Sequence, residues 1–113
     1  MADIIDFNHL ELYVGGDAAL RDEILTIFTE QAEMWIGRLN ADLEDEEWYN
    51  AAHALKGASR GVGAWSVGDL CEAAEKLVGQ GAQKASSRRA LMSELKAELD
   101  LAIDEARRHR DAA

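Results

Sequence analysis

The sequence predicts an all-α protein, an up-down antiparallel four-helix bundle with an additional short N-terminal helix. Proline is absent from the 113 residues, and the nine glycines lie mostly in short clusters, as is typical of long helices joined by tight connections. Between these clusters, apolar residues recur three and four positions apart, as they do on one face of a helix. Four long amphipathic helices with short links form such a bundle, and the length suits one domain over residues 1–113.

The first two helices have start and stop signals. Asp6 can cap a short helix that ends near Tyr13, where a pair of glycines supplies a left-handed stop. Asp17 then caps a second helix that is predicted to reach about Asp42. Its predicted core-facing stripe has one polar member and comprises Leu20, Ile24, Ile27, Phe28, Gln31, Trp35 and Leu39.

The third helix is predicted to span about Asp45 to Arg60 and has an acidic start, which suits the helix dipole. We interpret the run 44–47 as a solvated helix start rather than a cation site, because charge runs are usually surface features. One narrow sector is predicted to face the core; it contains Trp48, Ala52, Leu55, Ser59 and, just beyond the helix, Val62. A second sector, about 120° away, is not built for burial; it contains Tyr49, His53, Lys56, Gly57 and Arg60.

Two further amphipathic helices complete the bundle. Ser66 can cap the fourth helix, and Gly79 and Gly81 end it. Its apolar stripe comprises Val67, Leu70, Cys71, Ala74, Leu77 and Val78. The last helix is predicted from about Ser86 to His109, with a basic end that suits the helix dipole. The residues that it buries are predicted to be Leu91, Leu95, Leu99, Ala102 and Ala106.

Composition and motifs exclude several classes of function. Acidic side chains outnumber basic ones 22 to 12, for a formal net charge of -10, so we expect neither a nucleic acid nor a membrane surface as a partner. Walker-type, GxGxxG, HExxH and nucleophile-elbow motifs do not occur, so ATP-driven chemistry on this chain alone is not expected. A signal-peptide pattern and a stretch of about 18 apolar residues are also absent, so we expect a cytoplasmic protein.

Charge distribution and cysteine content further limit where a partner can bind and which kinds of site the chain can contain. Residues 1–50 carry 13 acidic and two basic side chains, whereas residues 51–113 carry nine and ten. A basic patch that faces a partner must therefore lie in the second part. The single cysteine, Cys71, excludes an internal disulfide and a cysteine-based zinc site. We expect no metal site, and we interpret Cys71 as a small core residue because it lies on an apolar stripe.

His53 is the candidate for chemistry. Lys56 and Gly57 follow it by three and four residues on the same helix face. A neutral imidazole nitrogen is a competent nucleophile near pH 7, and phosphoryl transfer needs positive charge at the equatorial oxygens, which Lys56, helped by Arg60, can supply. We interpret Gly57 as clearance for a phosphoryl group rather than as a site of close helix packing, because it lies on the polar face.

The alternative for His53 is an ordinary surface histidine. That interpretation suits the other two histidines, His9 as helix surface and His109 as a charge at a helix C-terminus. Neither of them has a lysine and a glycine on its face in the way that His53 does.

The segment His53-Ala54-Leu55-Lys56-Gly57 belongs to a longer pattern that covers most of the chain. Its further members are Ala58, Ser59, Gly61, Gly63, Ala64, Leu70, Cys71, Glu72, Glu75 and Leu77. Together with Asp6-Phe7 and the run 13–28, these residues resemble the histidine-containing phosphotransfer (HPt) domains of multistep two-component phosphorelays.

The resemblance implies that His53 accepts a phosphoryl group from a receiver-domain aspartate of a hybrid histidine kinase and passes it to the receiver domain of a response regulator. It implies a phosphotransfer intermediate rather than an enzyme, with no ATP site and no cofactor of its own. The magnesium ion would belong to the receiver, whose acidic pocket would meet the side of Lys56 and Arg60.

The resemblance also implies roles by position. Lys56 would help to stabilise the phosphoryl group, Gly57 would give clearance, and Glu75 would lie near the imidazole on the neighbouring helix. Many family members have glutamine at the position of Glu75 and serine where Ala58 stands. A carboxylate at position 75 can orient an imidazole N–H, but it would repel a phosphoryl group that came too close.

Other interpretations remain open. The chain could be a receiver-docking module that carries no phosphate, or the phosphoacceptor domain of a chemotaxis-type kinase. A histidine-kinase dimerisation domain is another alternative. Such domains usually have an acidic residue directly after the phosphoacceptor histidine, and Ala54 at that position of this chain speaks against this alternative. A purely structural bundle would not explain the His53 face. We expect a monomer, because a four-helix core is complete in one chain.

Overall fold

The computed structural model describes residues 4–111, which form five helices and no strand. The helices are α1 (Phe7–Val14), α2 (Ala18–Arg38), α3 (Asp45–Gly61), α4 (Trp65–Glu75) and α5 (Lys84–Asp111). In the bundle, α2 packs against α3 and α5, and α4 packs against the same two helices from the other side. The short α1 packs against α2. The predicted all-α bundle with an extra N-terminal helix is confirmed.

The predicted N-caps of the first two helices and the glycine stop of the first are confirmed, whereas α2 ends at Arg38 rather than near Asp42. The Asp6 side chain accepts a hydrogen bond from the backbone N–H of His9 at 3.2 Å, and Asp17 accepts one from Leu20 at 3.0 Å. Each cap satisfies an N–H group that has no partner inside its helix. Gly15 ends α1 in the left-handed conformation, with φ of 55°.

The predicted boundaries of α4 are wrong at both ends. Ser66 does not cap it, because the helix already begins at Trp65, and the backbone carbonyl of Ala64 accepts the first helical bond, from the N–H of Gly68. The helix ends at Glu75, well before Gly79. Beyond Glu75, tertiary hydrogen bonds to the backbone of residues 77 and 79 hold the chain away from a helical path.

The predicted core stripe of α2 is right in part. Phe28 and Leu39 are buried as predicted, and Ile24 and Trp35 are partly buried against the core. Leu20 and Ile27 are 37% and 50% exposed, whereas the buried residues of α2 are Leu25, Phe28, Thr29 and Ala32. Thr29 can be buried because its hydroxyl donates to the carbonyl of Thr26 at 2.9 Å, which satisfies the polar group within the helix. A hydrophobicity pattern does not detect such a residue, so the predicted stripe is displaced toward the side of α2 that carries Leu20 and Ile27.

The other core predictions fare better, except that Val78 of the predicted α4 stripe lies beyond the helix and is 41% exposed. The predicted core sector of α3 is confirmed, since all its members are 0–2% exposed: Trp48, Ala52, Leu55, Ser59 and Val62. In α5 the predicted core residues are buried except for Leu91, which is half-buried. Cys71 is fully buried as predicted, and this burial raises the pKa of its thiol to about 12.

A buried arginine, Arg88, joins three parts of the chain at one end of the bundle. It is 1% exposed. Its guanidinium donates to two carbonyls of the α2–α3 loop at 3.1 and 2.8 Å, to the carbonyl of Leu77 at 2.9 Å and to the carboxylate of Asp45 at 2.8 Å. The guanidinium also lies 4.5 Å from the ring centre of Trp48, a distance that suits a cation–π interaction.

Asp45 corrects the interpretation of the acidic run 44–47 as solvated. Its carboxylate accepts hydrogen bonds from Lys84 at 2.9 Å and from the backbone N–H of Gly79 at 2.8 Å, besides the bond from Arg88. The bonds from Lys84 and Gly79 hold the pKa of the Asp45 carboxyl below its usual range. This one member of the run is therefore part of a structural network.

Replacing Arg88 by alanine should lower the free energy of unfolding by about 3 kcal/mol, because three partly buried carbonyls and the Asp45 carboxylate lose their donor. Urea unfolding followed by circular dichroism measures this change. The neighbouring Arg89 is exposed and provides a matched control, since Arg89→Ala should change stability by less than about 0.5 kcal/mol. Equal stabilities of the two variants would contradict the role of Arg88.

Candidate functional site

The candidate site lies between α3 and α4. His53 projects from the middle of α3, with its side chain 59% exposed, and Glu75 is the last residue of α4, 9% exposed. Trp48 fixes the spacing of these two helices, because its indole N–H donates to the carbonyl of Ala74 at 2.7 Å. The core packing of α3 therefore places the Glu75 carboxylate beside the histidine.

Glu75 joins His53 and Lys56 through its two carboxylate oxygens. The imidazole Nδ1 of His53 lies 2.7 Å from Oε2, and the Nζ of Lys56 donates to Oε1 at 2.7 Å. Each oxygen thus has its own partner, and the Lys56 side chain is itself largely buried. These side-chain contacts join three of the five residues that the sequence singled out for this site.

The charge of Glu75 determines which nitrogen of His53 carries the proton and which keeps the lone pair. Burial by itself raises the pKa of the Glu75 carboxyl, but the hydrogen bonds with Lys56 and His53 outweigh burial and hold the pKa below its ordinary value of 4.5. Because an ionised carboxylate only accepts hydrogen bonds, Nδ1 must carry the proton. The lone pair of the neutral imidazole is then on Nε2.

Tyr49 stacks on the face of the imidazole, a role that sequence reasoning missed. Its ring stacks on that of His53, with centroids 5.6 Å apart and planes 12° apart. The signal was available, since the two residues are four apart on one helix face. The hydrogen bond at Nδ1 and the stacked ring together restrict the orientation of an otherwise exposed side chain.

Gly57 lies beside His53 at an exposed position where an added Cβ would meet no atom within 4 Å. The packing interpretation of this glycine is therefore excluded, and the space next to the imidazole is open. Such space is consistent with clearance for an incoming group.

Arg60 does not join the other site residues. Its Nη2 donates to Glu72 at 3.3 Å and lies 3.5 Å from Asp69, both on α4. The predicted help of Arg60 at the phosphoryl group therefore has no counterpart in these contacts.

Within residues 4–111, no group of three or more histidine, cysteine or acidic side chains could hold a metal ion. In the same range, no helix has the length and apolar character needed to cross a membrane.

Comparison with known proteins gives two matches. The model of a family described as "Hpt domain" matches residues 23–109. The crystal structure of histidine phosphotransferase ShpA from Caulobacter crescentus is similar, with a TM-score of 0.56 and 32% sequence identity over 94% of this chain and 97% of that chain. A search of curated proteins found no match. Both α3 and α4 lie within the matched range of the family.

The lowered pKa of Glu75 predicts a specific acid sensitivity. Its carboxylate stabilises the fold above pH 4.5, the ordinary value, and this stabilisation is lost as the pH falls through the lower pKa of the folded state. Between about pH 6 and pH 3 the native protein should therefore lose more unfolding free energy than Glu75→Gln. Denaturant unfolding across this pH range measures the difference.

The control for this experiment is Glu94→Gln, which neutralises an exposed carboxylate on α5. Its pH dependence should follow that of the native protein. A Glu75→Gln variant whose stability changed with pH in parallel with the native protein would contradict the ionised, hydrogen-bonded state of Glu75.

Proposed function

The chain belongs to the Hpt domain family, and from this premise we propose that Nε2 of His53 carries the phosphoryl group of a phosphorelay. His53 accepts the group from a receiver-domain aspartate of a hybrid histidine kinase and passes it to the receiver domain of a response regulator. The observation that carries the proposal is the 2.7 Å contact between Nδ1 and the Glu75 carboxylate. This contact leaves the lone pair of Nε2 on the exposed side of the ring.

The transfer of the phosphoryl group to His53 requires no proton to move. The Nε2 lone pair attacks the phosphorus of the aspartyl phosphate in line, the N–P bond forms, and the P–O bond to the aspartate breaks. The aspartate leaves as a carboxylate, and the imidazole ring gains the positive charge while its proton stays on Nδ1. The Glu75 carboxylate, hydrogen-bonded to that proton, stabilises the charge. Transfer to the second receiver is the same step in reverse.

Lys56 has two tasks in this proposal. One of its three N–H groups is bound to Glu75, which neutralises that carboxylate and reduces its repulsion of a phosphoryl group. The other two can donate to phosphoryl oxygens as charge develops. The open space at Gly57 accommodates the group, and the Mg²⁺ ion of the reaction is supplied by the partner receiver domain.

Replacing His53 by glutamine should abolish phosphorylation and leave the helicity intact. The purified chain is incubated with a phosphorylated receiver domain and magnesium, and label on the chain is quantified. The bond should be labile to acid and stable to alkali, as expected of a phosphohistidine. His9→Gln provides a matched control, since His9 contacts Tyr13 and Trp65 away from the site, and it should label as the native protein does.

Label retained by the His53→Gln variant would reject the assignment. If several receivers bind the native chain but none transfers its label, the chain is a docking module that carries no phosphate.

Replacing Lys56 by alanine should slow transfer at saturating receiver by at least about tenfold, because a donor to the developing charge is lost. Docking should weaken less. Rapid-quench measurement of label transfer across receiver concentrations separates the two effects. Lys96→Ala, which removes an exposed lysine on α5, is the control and should be neutral. An unchanged maximal rate for Lys56→Ala would remove its role in the chemistry.

A further inference from the structure

We propose that Gly68 is a positioning residue for receiver docking. Its missing side chain lets Arg60 lie across α4, where the arginine masks two carboxylates that would otherwise repel an acidic partner from the His53 face. The inference rests on the proposed function, because it takes the partner to be a protein that presents an aspartyl phosphate and therefore brings negative charge to this face.

Gly68 and Arg60 fit together without free space. A Cβ on Gly68 would lie 2.7 Å from Cγ of Arg60, 3.0 Å from Nε and 3.4 Å from Cδ. The first distance involves the stem of the arginine rather than its flexible end, so any side chain at position 68 must displace Arg60. Gly68 is buried within α4, where glycine costs about 1 kcal/mol of helix stability relative to alanine. The space that Arg60 needs explains why a glycine is present at this position despite that cost.

The position of Arg60 relates it to the phosphoacceptor face. It follows His53 by seven residues, which places it on the same side of α3 about 10 Å further along the helix. At that distance it does not touch the reacting group. It lies on the edge of the surface that a receiver domain must cover to reach His53.

The charges around Arg60 explain what its displacement would do. Arg60 is the shared cation of Asp69 and Glu72, whose side chains are 76% and 50% exposed. With Arg60 displaced, two exposed carboxylates on α4 would face the partner without a counterion. Charges at the edge of an interface act mainly on the association rate and on its dependence on salt.

The test measures the affinity of the full chain for a receiver domain and the rate of label transfer at several salt concentrations. Gly68→Ala and Arg60→Gln should each weaken docking about two- to fivefold at low salt, the range expected for one exposed charge pair. The loss should shrink at high salt, and the maximal rate of transfer should stay unchanged. The matched control is Gly37→Ala, which adds a methyl group in open space on α2 and should dock as the native chain does.

A rescue variant separates this role from a structural one. Combining Arg60→Gln with Asp69→Asn and Glu72→Gln removes the carboxylates that Arg60 masks, so docking should return to nearly the native affinity. A purely structural tie between α3 and α4 would instead lower the unfolding free energy of the single variants while their docking stays native, or would weaken docking in a way that the triple variant does not rescue. Either result would overturn the proposal.

Failure of the two proposals can be distinguished. If the native chain binds the receiver but is never labelled, the proposed function fails, while the salt-dependent docking of the Gly68 and Arg60 variants still decides the present inference. If the chain is labelled and all variants dock equally at every salt concentration, only the present inference fails.

Discussion

The buried carboxylate of Glu75 is the constraint on which the site depends. A carboxylate that is 9% exposed is destabilising unless hydrogen bonds and an opposite charge compensate for the water that it has lost. Lys56 and His53 provide that compensation, one at each oxygen. The hydrogen bond that stabilises Glu75 therefore also holds the imidazole in one orientation, and the geometry of the proposed phosphoacceptor follows from the electrostatics of the α3–α4 interface.

The fold maintains this arrangement from both sides of the α4 C-terminus. Trp48 donates to the carbonyl of Ala74, directly before Glu75, and Arg88 donates to the carbonyl of Leu77, two residues after it. Arg88 also lies over the ring of Trp48, so these two anchors are in contact with each other. The stability of this end of the bundle and the positions of the site residues are consequently coupled through a few buried polar groups.

Sequence reasoning succeeded where a periodic pattern carries the information. The core sector of α3 was predictable because large apolar residues repeat on one face, and the His53 face follows from it. The core face of α2 was predictable only in part, because Thr29 is a polar residue whose burial depends on a hydrogen bond within its own helix. Glu75 was reached only by resemblance, since its partners lie 22 and 19 residues away. For Arg88 and for the fit of Arg60 against Gly68, the sequence held no signal, because charge and glycine are ordinarily read as surface and turn features.

The most direct test of the central claim is to locate the proton and the phosphoryl group on the His53 ring by nitrogen-15 and phosphorus-31 NMR. If Glu75 sets the orientation of the imidazole, the unphosphorylated neutral ring carries its proton on Nδ1, and the phosphorylated ring shows phosphorus–nitrogen coupling at Nε2. A proton on Nε2 before transfer, or phosphorus on Nδ1 after it, would contradict the account.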